Sequence, residues 1–176
     1  FWEYEYIPTS LKERWIRPII KAGKIGNKSK ELRPVSLTSY VGKILEKILT
    51  KRLVTYIVRL RLLSDVHFAY LSGRGTDECI TYIVDQIIEN FNKHKDTHCV
   101  YFDFSSAFDC VHHNIILWKL ENEFFITGKF LRIIAAFLHD RKGAVKINGI
   151  ISNWIKDVIG VPQGGAMSPI LYLIYV

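Results

Sequence analysis

The chain has 176 residues, 49% of them hydrophobic, enough for one domain-sized core or part of a larger one. No apolar stretch is long enough to span a bilayer, and Glu3 and Glu5 stand where a signal peptide would carry basic residues; Cys79, Cys99 and Cys110 are odd in number and lack metal-type spacing, which fits a reducing, intracellular compartment, nucleus and cytoplasm alike. The net charge of +7 is uneven: residues 1–61 hold 14 Lys and Arg against 5 Asp and Glu, a balance that suits a polyanion such as nucleic acid or a nucleoside triphosphate, or else a solvated, lysine-rich surface.

Trp15 to Ile20 reads as a short strand, followed by a loop, residues 21–31, rich in Gly, Asn, Ser and Lys. Leu32 to Thr38 is extended, and Pro34 makes it a sheet edge or an irregular crossing. Tyr40 to Leu63 has helical periodicity, with Val41, Ile44, Leu45, Ile48, Leu49, Leu53, Tyr56 and Leu60 as the expected core stripe. A loop with Gly73 and Gly75 precedes a second helix, with Thr76 as its expected N-cap, Asp77 and Glu78 complementing the dipole, and an apolar stripe from Ile80 to Phe91. Cys99 to Phe104, apolar and bounded by polar residues, reads as a buried strand.

The adjacent His112 and His113 suit a helix start or a polar surface pair better than a metal site. Ile115–Phe125 and Lys129–His139 read as helices broken at Gly128. Ala144–Ile147, Asn148-Gly149 and Ile151–Val158 form a hairpin signal. Gly160 to Gly165 is a tight loop, and Met167–Val176 a final helix with Pro169 near its start. The sequence begins on Phe1, holds one methionine, Met167, and ends on an apolar run, Ile170 to Val176. It reads as an open-ended piece of a longer protein, with that run short of a partner and the piece marginally stable.

Three places carry chemistry. Asp103, expected at the end of a buried strand, requires a partner or a cation, and Asp109 follows six residues later. An Asp in a turn or at an N-cap is the competing explanation. Gly160-Val-Pro-Gln-Gly-Gly165 lets a ligand approach the backbone, with Gln163 offering both donor and acceptor, or is an ordinary turn. Lys21, Lys24 and Arg33 flank the first loop, where cations can clamp phosphates or serve solubility.

Taken in order, Ile16-Arg-Pro-Ile-Ile-Lys21-Ala-Gly-Lys24, Arg33-Pro-Val-Ser-Leu-Thr38 running into Lys43-Ile-Leu-Glu-Lys-Ile-Leu49, Phe102-Asp-Phe-Ser-Ser-Ala-Phe-Asp109, Phe137-Leu-His-Asp-Arg141 and Gly160-Val-Pro-Gln-Gly-Gly-Ala-Met-Ser-Pro-Ile-Leu171 resemble the reverse transcriptase domain of non-LTR retrotransposons, jockey-like elements above all. The resemblance covers nearly the whole chain. It implies an α+β right-hand polymerase, fingers plus partial palm, truncated before the aromatic-Ala-Asp-Asp turn. The implied fingers are about 1–75 and 112–159, the palm parts about 76–111 and 160–176.

The resemblance also implies roles. Asp103 matches the first catalytic, metal-binding carboxylate, and Phe104 would face a metal through its backbone carbonyl. Phe108 matches the aromatic gate that excludes ribonucleotides. Lys21 and Arg33 match the cations that hold the triphosphate, and Gln163 and Gly164 the loop beside the nascent base pair. Lys24, Lys43 and Arg141 fall in matching blocks as nucleic-acid contacts. Two Mg²⁺ ions, an RNA template, a DNA primer or target and deoxynucleoside triphosphates are the implied cofactors and partners, with no membrane. The pattern departs at Leu32, at His67-Phe-Ala-Tyr70, at Ser106 and at Gly165. No Asp-Asp pair occurs in the chain, so these residues alone are expected to be inactive in nucleotidyl transfer. A decayed or repurposed remnant that only binds nucleic acid is the alternative. An RNA-dependent RNA polymerase is disfavoured by the bulk of Phe108.

Overall fold

The structure is a computed structural model that describes residues 2–176; residue 1 of the expected fingers lies outside them. The chain forms two compact units, residues 1–53 with 106–176, and Val54–Ser105. The fold mixes helices and strands: six α-helices and a small five-stranded sheet among the described residues.

In the first unit, a short helix α1 (Thr9–Lys12) leads into β1 (Glu13–Ile20). A loop with a 3₁₀ turn at Ser29–Glu31 returns the chain as β2 (Leu32–Thr38), antiparallel to β1. Pro34 sits opposite Pro18, and β2 is the edge strand that the proline demands. On its other side β1 pairs in parallel with β3 (Lys142–Ile147), with Trp15 beside Ala144. Asn148 and Gly149 both take positive φ, 48° and 84°, and turn β3 back into β4 (Ile150–Ile151). That is the backbone a two-residue hairpin of right-twisted strands requires. The return is shorter than the expected Ile151–Val158: it breaks after β4 and rejoins β3 as β5 (Ile155–Lys156).

Side chains alternate across this sheet. Trp15 and Arg17 of β1 are exposed, while Arg14 and Ile16 point to the half-buried side. Helices α4 (His113–Asn122), α5 (Gly128–Leu138) and α6 (Ser168–Tyr175) pack together, α4 against both of the others. Ile116, Leu120, Ile133, Ile134, Leu138 and Leu171 are at most 1% exposed and form the centre of the core. Gly128 opens α5 with φ +65°, the break expected there. The apolar run in α6 is not left without a partner: Ile170, Leu171 and Ile174 are buried, and α6 packs on α4.

Helix α2 (Tyr40–Arg59) forms where its periodicity indicates, but buries only part of the expected stripe. Val41, Ile44, Ile48 and Leu60 are exposed, whereas Glu46, Leu49, Leu53 and Ile57 are buried. The inward register is set by Gly42, which lies against the Leu11 carbonyl, and by the buried hydrogen bond of Glu46 described below.

The second unit contains α3 (Thr76–Asn92). Its N-cap is Gly75 and not Thr76, and no residue of α3 is buried. Arg74 closes the preceding loop by donating to the carbonyls of Asp65 and His67, at 2.9 and 3.0 Å. The expected buried strand at Cys99–Phe104 does not form. These residues have no regular structure, and Val100, Tyr101, Phe102 and Phe104 are all more than 60% exposed. Apolarity alone does not make a strand: its backbone N–H and C=O groups require a neighbouring strand, and no described strand pairs with it. Among the described residues no helix is long and apolar enough to cross a membrane.

Candidate functional site

The Gly160–Gly165 loop is anchored at successive points by hydrogen bonds. The Gly160 N–H donates to the Val111 carbonyl at 2.7 Å, and the Val161 N–H to the Phe108 carbonyl at 2.8 Å. The Gln163 carbonyl accepts the Ser36 N–H of β2 at 2.9 Å, and the Pro162 carbonyl accepts both the Gly165 N–H and the Ser168 hydroxyl. The adjoining Ala166 N–H donates to the Glu46 carboxylate at 2.7 Å. Every one of these partners lies far from the loop in sequence, apart from Ser168 and Gly165.

Two glycines are required here. Gly160 has φ +87°, and a Cβ on it would meet the Asp109 backbone at 3.0 Å. Gly164 has φ +101° and lies against the Ser36 carbonyl. A side chain at either position would force a strained backbone.

The same unit holds a buried cation whose burial the sequence did not reveal. Arg141 is fully buried. Its guanidinium lies over the Phe137 ring, 4.5 Å from the centroid, and donates to the Phe137 carbonyl at 3.3 Å. Burial pushes its pKa down, while the facing carboxylates of Glu46 and Asp157 push it up. Asp157 is itself held by Arg14 in a bidentate pair, both contacts 2.8 Å, and Arg14 also donates to the Ser36 hydroxyl. Arg141 was expected as a nucleic-acid contact; its burial removes it from any phosphate and makes it part of the scaffold. Among the described residues no carboxylate lies within ion-pair distance of the guanidinium; its Nε and Nη2, like Glu46 Oε1, are buried without a hydrogen-bond partner, so Glu46 and Asp157 offset the cost of burial only from further away. Glu46 could have been recognised in the sequence as a carboxylate in register with Gly42, Leu49 and Leu53.

His113, the first residue of α4, is 6% exposed and 2.7 Å from the Gly160 carbonyl through Nε2. A carbonyl only accepts, so Nε2 carries the proton. Burial pushes the imidazole pKa below its ordinary value; the bond to Gly160 opposes this, and His139 and Arg141 reinforce it.

The other expected residues divide into two sets. Phe108, half-buried, has its ring 5.3 Å from that of Tyr172 and its carbonyl on the loop. Gln163 and Gly164 lie along β2, three and more residues from Arg33, about 10 Å at strand rise. Lys21 stands at the Arg33 end of the β1–β2 hairpin, its N–H bonded to the Glu31 carbonyl and its ammonium to the Lys30 carbonyl. Lys24 is exposed in the hairpin loop and Lys43 half-buried on α2. Asp103 and Phe104 belong to the second unit and are exposed. Among the described residues no three His, Cys, Asp or Glu side chains converge as metal ligands.

The order of these blocks finds its counterpart in a family profile, that of the reverse transcriptase (RNA-dependent DNA polymerase), which matches residues 21–176. The chain belongs to the reverse transcriptase family. It is 28% identical over 171 residues to the probable RNA-directed DNA polymerase from transposon BS of Drosophila melanogaster, covering 97% of this chain and 19% of that protein. It is 28% identical over 170 residues to the RNA-directed DNA polymerase from mobile element jockey of the same species, and 29% identical to that of Drosophila funebris. In both cases the match covers 97% of this chain and 18% of the relative. This reverse transcriptase chain thus spans about a fifth of the length of the curated relatives it matches, and the likeness to jockey-type elements read from its motifs agrees with them.

Two outcomes test the scaffold of this reverse transcriptase domain. Glu46→Ala leaves the Ala166 N–H without its acceptor. It should cost about 1–3 kcal/mol of stability, the scale of a buried hydrogen bond whose partner is left unsatisfied, read as a fall in the urea midpoint, with Glu46→Gln less damaging because the amide oxygen still accepts. The lowered pKa of His113 gives stability that is complete above its unfolded pKa of about 6.5 and declines as pH falls below it, because the unfolded state then binds more protons. His113→Gln, which retains a donor for Gly160, should flatten the urea midpoint between pH 7.5 and pH 5.5.

Proposed function

We propose that the chain is the fingers and front palm of an RNA-directed DNA polymerase: fingers about 1–75 and 112–159, palm parts about 76–111 and 160–176. The observation that carries this reading is the meeting of three separated blocks at one loop. The Ser36 N–H of β2 and the Phe108 carbonyl both hold Gly160–Gly165, through Gln163 and Val161. A template-directed polymerase needs a rigid backbone surface beside the incoming nucleotide, with an aromatic near the sugar and cations near the phosphates. Phe108 supplies the first, and Lys21 and Arg33 at the hairpin end supply the second. Gln163 and Gly164 form the surface against which the new base pair would pack. Deoxynucleoside triphosphates, an RNA template and a DNA primer are the proposed partners, with Lys24 and Lys43 as further backbone contacts.

The two Mg²⁺ ions implied by the family do not fit the described residues. Asp103 stands in an exposed irregular segment, and no second carboxylate and third ligand converge with it. Holding two ions about 4 Å apart needs several such oxygens. No metal-dependent step is therefore derived for residues 1–176, which are assigned binding and positioning, with Asp103 contributing one carboxylate in the whole protein. The alternative, a non-catalytic nucleic-acid-binding remnant, is favoured by the departures at Leu32, Ser106 and Gly165.

The test uses the full-length protein that carries this chain, in primer extension on an RNA template. Extension with deoxynucleotides is expected, and Phe108→Ala should raise ribonucleotide incorporation on the order of tenfold or more, the scale at which one group in a pocket discriminates. Salt-sensitive nucleic-acid binding without any extension would instead establish the remnant reading.

A further inference from the structure

The peptide unit joining Gly160 to Val161 is held at both ends by the segment that carries Phe108. Its N–H, on Val161, donates to the Phe108 carbonyl at 2.8 Å, and its carbonyl, on Gly160, accepts from His113 Nε2 at 2.7 Å. The Gly160 N–H donates in turn to the Val111 carbonyl at 2.7 Å. Two of these three bonds join backbone to backbone, and any side chains allow them. The third depends on one side chain, that of His113. A peptide unit is planar, so fixing both of its ends fixes the plane. Gly160 is where that plane is least protected: with φ +87° and no Cβ, its backbone reaches conformations that other residues resist. His113 is placed to resist them. It is buried in the first turn of α4, its ring edge-on to that of His139 at 6.2 Å. Ile116 and Leu120, fully buried, seat the helix that carries it. Gly160 is buried as well, so bulk water does not stand in for a lost donor.

We infer that His113 is a positioning residue for the incoming deoxynucleotide, acting through the Gly160–Val161 peptide. The inference rests on the polymerase reading, in which Phe108 gates the sugar and Gln163 and Gly164 face the new base pair. Those two walls come from segments far apart in sequence, and this peptide unit joins them. With the Gly160 carbonyl released, the peptide is free to turn, the Val161 N–H leaves Phe108, and the spacing between gate and loop is no longer fixed. A buried histidine needs an acceptor, and for stability alone any nearby carbonyl would serve. Stability alone does not account for a bond to the one peptide whose other end holds Phe108.

Primer extension by the full-length protein on an RNA template tests this, with each variant first shown to be folded by thermal unfolding. His113→Phe retains a ring and removes the donor. It should raise KM for deoxynucleotides about five- to tenfold, the worth of one buried hydrogen bond. Ribonucleotide discrimination should fall with it, while kcat changes by less than about twofold. His113→Gln, whose amide still donates to Gly160, should keep most of the wild-type KM and discrimination. His112→Gln, at the exposed preceding residue, should match the wild type. If His113→Phe fails to fold, His113→Asn takes its place, because its amide reaches only as far as Nδ1 and not to the Gly160 carbonyl. Wild-type KM and discrimination in a folded donor-less variant, while Phe108→Ala still admits ribonucleotides, would overturn the inference and leave the polymerase reading standing. A fall in kcat with KM unchanged would also overturn it, as would equal damage from His113→Phe and His113→Gln. No extension by the wild type, or no gain in ribonucleotide use by Phe108→Ala, would overturn the reading beneath it and the inference together.

Discussion

A buried cation organises the first unit. Arg141 has no exposure, and removing a guanidinium from water costs several kcal/mol unless carboxylates face it. Glu46 and Asp157 offset that cost from beyond ion-pair distance, Arg141 Nε and Nη2 being left without hydrogen-bond partners, and each carboxylate is tied elsewhere. Glu46 accepts the Ala166 N–H at the end of the glycine-rich loop, and Asp157 is gripped by Arg14, which also holds the Ser36 hydroxyl of β2. These hydrogen bonds fix α2 against the loop and β1 against β2 and the Asp157 segment. Replacing the cluster by apolar side chains of similar volume is often neutral for stability. Its service here is geometric: it allows few arrangements of the Gly160–Gly165 backbone.

That rigidity gives the functional reading its physical content. A loop that must lie beside a nucleotide gains from losing little entropy on binding. Here Val111, Phe108, Ser36, Ser168 and Glu46 hold it at successive points. The opposite condition holds in Val54–Ser105, where α3 has no buried residue and Cys99–Phe104 is exposed. The first unit contains the assembled part of the proposed nucleotide surface, and the second the lone candidate carboxylate, Asp103.

Local chemistry was legible in the sequence. Asn148-Gly149 dictates its turn because both residues accept positive φ, and Pro34 dictates an edge because it cannot donate to a ladder. Residues whose state depends on distant partners were not legible. Cys99–Phe104 has a strand's composition, but pairing is decided by another strand. The α2 stripe is fully buried only at Leu49 and Leu53, because Glu46, which apolarity does not mark, is held inward by the Ala166 N–H, far away in sequence. Arg141 looked like a surface contact for the same reason: nothing adjacent to it announces that Glu46 and Asp157 will face it. The glycine-rich loop was readable as a close approach, whereas the groups that hold it, His113 included, were visible only in three dimensions.

The central claim is that the loop is built in advance by this polar scaffold. Native-state amide hydrogen exchange on the full-length protein tests it most directly. The account predicts that the Val161, Gly165 and Ala166 amides exchange only through openings nearly as costly as those of the β1–β2 ladder, and that Glu46→Gln selectively lowers the protection of Ala166 and Gly165. Exchange of these amides at the rate of a free loop in the wild-type protein would contradict it.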